Sequence, residues 1–179
     1  MIHQYPQSYI DYLVHFHGDR DYFECHEILE EYWKENTPME RDSIWVGWIQ
    51  LAVALYHQRR SNFSGAGRMI NKALEKFRLH SEDLKTFGVD SRFFMEQLQE
   101  LKAAIQAHTP YTSLQLPITD QKLNQMCLLR SSEKGFQWGK ESDLSNQMIT
   151  DRHRLRDRQD VILLRERELI KRKKRSASE

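Results

Sequence analysis

The sequence predicts an all-α protein: an antiparallel bundle of about five helices, built as two stacked helical hairpins behind an N-terminal helix. Three observations carry that expectation. Apolar residues recur at helical spacing through the first ~110 residues. No strand-like alternation interrupts them there. Breaks at Gly18-Asp19, Asn36-Thr37-Pro38, Ser61-Asn62 and Gly88-Val89-Asp90 divide the chain into pieces that suit bundle helices joined by short loops.

Taken in order, Pro6 can open a first helix carrying Tyr9, Leu13 and Phe16, and His17-Gly18-Asp19 ends it. Asp19 or Asp21 can cap a second helix, which carries Tyr22, Leu29 and Trp33 as one stripe. A third runs from about Asp42 to Arg60 and is apolar on nearly every side, from Ile44 and Trp45 through Trp48 to Leu55 and Tyr56, so it should be the central helix. Gln50 and His57 interrupt it on one stripe flanked by Gly47 and Ala54, small residues that allow a close helix approach. Met69, Ile70, Ala73, Leu74 and Phe77 mark the fourth helix, and Phe93, Phe94, Leu98, Leu101 and Ile105 the fifth. Residues 1–108 are thus expected to form the bundle core.

Beyond it the texture changes. Residues 109–140 contain Pro110, Pro117, Gly135 and Gly139, and read as an irregular segment packing on the core, with a small hairpin at 111–118 and a short helix around Leu123. Residues 141–179 read as a long charged C-terminal helix and tail, in which Met148, Leu155, Ile162 and Leu169 recur every seven residues. The net charge of +1 is uneven: residues 151–175 carry +6 and residues 1–150 carry −4. A basic tail on an acidic body implies that the tail has its own partner or lies on the body.

Composition excludes several classes. Two distant cysteines, Cys25 and Cys127, give neither a disulfide framework nor a paired-cysteine zinc site. No apolar run is long enough to span a bilayer, and Met1 to His17 lacks the pattern of a signal peptide, so a cytoplasmic location is expected. Phosphate-binding glycine loops and strained nucleophile turns are absent.

The chemistry-bearing stretch is Tyr22-Phe23-Glu24-Cys25-His26-Glu27-Ile28-Leu29-Glu30, which on a helix sets His26 and Glu30 among aromatics. A carboxylate so placed must be hydrogen-bonded, ion-paired, metal-bound or protonated. The candidate buried polar site is His26, Glu27, Glu30, Arg41, Gln50 and His57. As a structural network, Glu30 would accept from Gln50, Arg41 or an indole. As a metal centre, His26 and Glu30 would ligate a divalent cation, with Glu27 as acid or base and Gln50 orienting a ligand. The spacing departs from the HExxH zincin pattern because Glu30 stands where its second histidine would be. The network is the favoured of the two. In the tail, Lys171, Arg172, Lys173, Lys174 and Arg175 lack interleaved acids and form the strongest basic patch.

The combination of that stretch with Trp33, Arg41, Gly47-Trp48-Ile49-Gln50-Leu51-Ala52, His57, Asn62 and Gly65-Ala66 resembles the bacterial and archaeal family catalogued as domain of unknown function 309, over about residues 12–80. The resemblance implies a small all-helical bundle with His26, Glu27, Glu30, Trp33, Arg41, Gln50 and His57 at signature positions, and supplies no reaction or cofactor. Cys25 stands where the family more usually has a small residue such as Ala. The resulting expectation is a non-enzymatic intracellular module that binds a protein or nucleic-acid partner through its basic C-terminal helix. The alternative is a metal-dependent hydrolase, and a homodimer through the tail is a third reading.

Overall fold

The structure, a computed structural model, describes residues 5–155, 163–164 and 166–171. The described residues are helical and contain no strand. The elements are α1 (Gln7–His17), α2 (Tyr22–Asn36), α3 (Ile44–Arg59), α4 (Phe63–Leu79), a 3-10 turn (Asp83–Phe87), α5 (Ser91–Gln106), α6 (Gln121–Glu133) and two short helices, α7 (Gln147–Thr150) and α8 (Arg152–Leu155). Side-chain caps start the longer ones: Asp21 Oδ1 accepts from Glu24 N at 3.0 Å, Asn62 Oδ1 from Gly65 N at 3.0 Å and Asp90 Oδ1 from Phe93 N at 2.9 Å.

α3 is central, as its all-round apolarity requires. It packs between α2 and α4, with α1 against α2 and α6, and α5 against α4. Trp48 is fully buried, and its ring lies 5.0 to 5.9 Å from those of Tyr9, Tyr12, Phe77, Phe87 and Phe94. Gly47 serves the close approach to α4: a Cβ there would lie 3.1 Å from Lys76 Cβ and 3.2 Å from the Phe77 ring.

The expected hairpin at 111–118 is replaced by one isolated antiparallel bridge between Val89 and Ile118. Gly88, at φ +71°, turns the chain so that its carbonyl accepts from Thr119 and Asp120. α6 forms around Leu123, and Leu116, Leu123 and Cys127 are buried against the bundle.

The helix expected from Glu141 begins differently. Residues 140–146 are extended and turned, α7 and α8 are four residues each, and helix is present again at 163–164 and 166–171. Asp143 Oδ1 accepts from both the backbone N–H and the hydroxyl of Ser145, a local bond that competes with helix. The Lys140 and Ile149 carbonyls are in turn taken up by arginines of the core. Ile162 and Arg172, Lys173, Lys174 and Arg175 lie outside the described residues. Lys171 is exposed, 3.4 Å from Glu168.

Candidate functional site

Segment 140–153 lies across the ends of α2 and α3 and is fastened there by side chains of opposite charge. The anchor is Arg20, fully buried in the α1–α2 turn at φ +59°, whose guanidinium donates to Leu114 O at 2.6 Å and Lys140 O at 2.9 Å. Arg59, at the end of α3, donates to Arg20 O at 2.7 Å, Ser142 Oγ at 3.1 Å and Ile149 O at 3.4 Å, and lies 4.7 Å over the Tyr22 ring. The next two anchors use consecutive residues of opposite sign. Asp151 accepts from Arg60 Nε at 2.8 Å, while Arg152 pairs with the α2 cap Asp21 and with Glu24 at 3.0 Å. His153 then bonds the Tyr56 hydroxyl, and its two ring nitrogens lie 3.1 and 3.3 Å from Arg60 Nη1.

Two clefts open along this seam, with Phe23 in the wall of both. One, of about 610 Å³, is lined by Asp21, Glu24, Glu27, Met148, Ile149 and Arg152. The smaller, of about 170 Å³, is apolar apart from three imidazoles, with Tyr22, Val53 and Tyr56 beside His26, His57 and His153.

His26, Glu27 and Glu30 share one exposed edge of α2. His26 Nδ1 is 3.2 Å from Glu27 Oε1, and Nε2 is 3.4 Å from Glu30 Oε2. The three side chains are 28 to 35% exposed, so the cluster is half-buried rather than sealed. A neutral imidazole carries one N–H and can satisfy only one carboxylate. Glu30 has a second partner in Lys34 Nζ at 2.9 Å, so the imidazole need not serve both carboxylates. One ligand atom from each residue can be chosen so that all lie within 4.8 Å of one another, which fits a small divalent ion.

The remaining members of the expected site are dispersed. Glu30 meets Lys34 at 2.9 Å, where Gln50, Arg41 or an indole was expected. Arg41 is exposed on the α2–α3 turn, and none of the hydrogen bonds or ion pairs among the described residues joins it to Glu30. Gln50 Oε1 is buried without a hydrogen-bond partner among the described residues. His57 accepts from Asn62 Nδ2 at 3.1 Å and faces the smaller cleft; burial, then Arg60, His153 and Arg68, hold its pKa below the usual value. Cys25 is fully buried, with its thiol pushed well above the usual range by burial.

Asp21, Tyr56, Asp151 and His153 were not legible as site residues. Asp21 reads only as a cap. His153 sits in a charged run 97 residues from Tyr56, and nothing local marks such a pairing.

Comparison with known proteins follows the same lines. Residues 9–69, which contain most of α1, all of α2 and α3 and the start of α4, match the family model described as "Domain of unknown function (DUF309)". The chain is 49% identical over 170 residues to the uncharacterized protein YpuF of Bacillus subtilis (strain 168), covering 95% of this chain and 98% of that one. No solved structure matches it. No helix among the described residues is long and apolar enough to cross a membrane. A relative this similar over nearly its whole length, together with the matching family model, establishes that the chain belongs to the family of domain of unknown function DUF309.

Proposed function

We propose that this protein is a non-enzymatic binding module in which the bundle is the scaffold and the C-terminal helix makes the contact, with a protein as the partner. The observation that carries the reading is the surface of residues 163–164 and 166–171. Leu163, Leu164, Leu169 and Ile170 are 51 to 61% exposed on helical residues, 163–164 and 166–171, that also include Glu166, Glu168 and Lys171. Large aliphatics held in water on a charged helix are the pattern of an amphipathic helix that docks in a partner's groove. On this reading 1–108 is the scaffold, 109–140 buttresses it, and 141–179 is the presenting arm. Segment 140–153 fixes where that arm leaves the body.

The test is quantitative capture with three untagged baits in excess: the full chain, the chain ended after Leu155, and a Leu169→Glu, Ile170→Glu double variant. Ending after Leu155 keeps the Asp151, Arg152 and His153 anchors, so the scaffold is retained. Interactors recovered by the full chain should be lost or at least tenfold depleted with both altered baits, a cost of about 1.4 kcal/mol or more. A purified interactor should then rebind the full chain directly. Undiminished recovery by the double variant would move the contact onto the core, while retention of nucleic acid alone would replace protein with nucleic acid as the partner. Doubling of the mass in light scattering, abolished by the same substitutions, would make the partner a second copy.

A second reading is favoured by the His26 cluster. Its two carboxylates on one imidazole could hold a divalent metal beside an open cleft, with coordination positions left for water and substrate, as a hydrolase requires. In that case His26 and Glu30 are ligands and Glu27 is the acid or base. The two readings part on the metal content of the purified protein.

A further inference from the structure

We propose that the groove at the α3–α4 turn is an oxyanion site that takes a phosphate group, either free or as a small phosphomonoester. The proposal is independent of the partner-binding reading. The groove encloses about 330 Å³ and is lined by Arg59, Arg60, Ser61, Thr150, Asp151 and Arg154, with Leu144 at its edge. Among the described residues, three arginines and one carboxylate therefore line it. That carboxylate is already engaged, since Asp151 accepts from Arg60 Nε at 2.8 Å. Arg68 adds positive charge just outside the lining, and it acts on neighbouring His57 in the same direction as Arg60, disfavouring the protonated ring.

The three arginines have different parts. Arg59 is held by three oxygen acceptors and by the Tyr22 ring, so it contributes a fixed positive charge. Arg60 is 88% buried at the side chain, since 12% is exposed, and is oriented by Asp151 and His153. Arg154 is exposed, and its side chain makes no hydrogen bond or ion pair among the described residues. It is the arm free to close on a ligand. A guanidinium fork matches two phosphate oxygens, and the Ser61 hydroxyl supplies a further donor at the rim. Ser61 is held at φ +57°, a left-handed conformation that is costly for a residue with a Cβ.

Surroundings favour a small ligand over a nucleic-acid strand. On the other side of segment 140–153, Asp21, Glu24 and Glu27 line the neighbouring cleft. A polyanion running out of the groove in that direction would be repelled, whereas a single phosphate would not reach those carboxylates.

The test is calorimetric titration of the full chain, at fixed ionic strength in a phosphate-free buffer, with inorganic phosphate, with a 5′-nucleoside monophosphate and with a single-stranded oligonucleotide. The expected result is saturable binding of phosphate or the monophosphate, weakened about tenfold in Arg154→Gln, as loss of one charge-assisted contact implies. Arg154 is exposed, so that variant should keep the parent's melting temperature. Arg92→Gln, which alters another exposed arginine on α5, should bind like the parent. Equal affinity for the two small ligands identifies free phosphate, and tighter binding of the monophosphate identifies a phosphomonoester. The proposal is overturned by no saturable response to either, by an Arg154→Gln affinity equal to the parent's, or by binding confined to the oligonucleotide.

Discussion

Replacing Trp48 by alanine is expected to destabilise the protein by about 3–5 kcal/mol, the range for removing a large aromatic from a packed core. Trp48 is fully buried on the central helix, and five aromatic rings from α1, α4, α5 and the 3-10 turn surround it. Because those rings come from four different elements, they cannot all collapse into the space left behind. Phenylalanine should be far milder, at about 1–2 kcal/mol. It keeps most of the ring contacts, and it removes an indole N–H that is buried without a hydrogen-bond partner among the described residues. Urea unfolding followed by circular dichroism gives both values. If the alanine variant does not fold, the phenylalanine variant still tests the account, and equal loss from the two substitutions would contradict it.

The second large effect is a dependence of stability on pH, carried by His17. Its ring is 1% exposed, Nδ1–H donates to Leu13 O at 2.9 Å, and Nε2 accepts from Leu116 N at 3.0 Å. A second proton would have to occupy the position facing an N–H. Burial, with a smaller contribution from Arg20, accordingly pushes the pKa down to about 3 from 6.5. The ring therefore stays neutral in the folded chain while it protonates in the unfolded chain below about pH 6.5. The stability this contributes is fully present above about 6.5 and is lost as pH falls toward about 3, at about 1.4 kcal/mol per unit. Between about pH 7 and pH 5 the parent should lose about 2 kcal/mol more than a His17→Gln variant, read from urea midpoints. Parallel curves would show that His17 is protonated in the fold.

That histidine also illustrates what the sequence conceals. His17 reads as the last residue of a helix before Gly18, and that is correct; its second partner, Leu116, is 99 residues away. The helices themselves were legible because each repeats its apolar pattern over several turns, and the central place of α3 followed from its lack of a polar face. That His26 and Glu30 share an edge was legible for the same reason, since residues four apart on a helix are neighbours; that Glu27 joins them was not, because adjacent residues do not face each other. The depth of the cluster was not legible: periodicity places a residue on a face and says little about what covers that face. Arg41 shows the limit from the other side, as a residue near the cluster in the sequence pattern that the turn carries into solvent. The seam made by Arg20, Arg59, Asp151, Arg152 and His153 left no local trace, because every contact in it joins segments distant along the chain. Heptad spacing suggested a helix from Glu141, and the carbonyls demanded by Arg20 and Arg59 outweighed it.

The measurement that tests the binding-module account most directly is elemental analysis of protein purified without a metal-affinity tag or chelator, beside His26→Ala and Glu30→Gln. The account predicts a folded parent without stoichiometric metal, whose His26 edge is a polar network of the imidazole, Glu27, Glu30 and Lys34. A near-stoichiometric divalent metal in the parent, absent from both variants while they remain folded, would contradict it and make the protein a metal-dependent enzyme candidate.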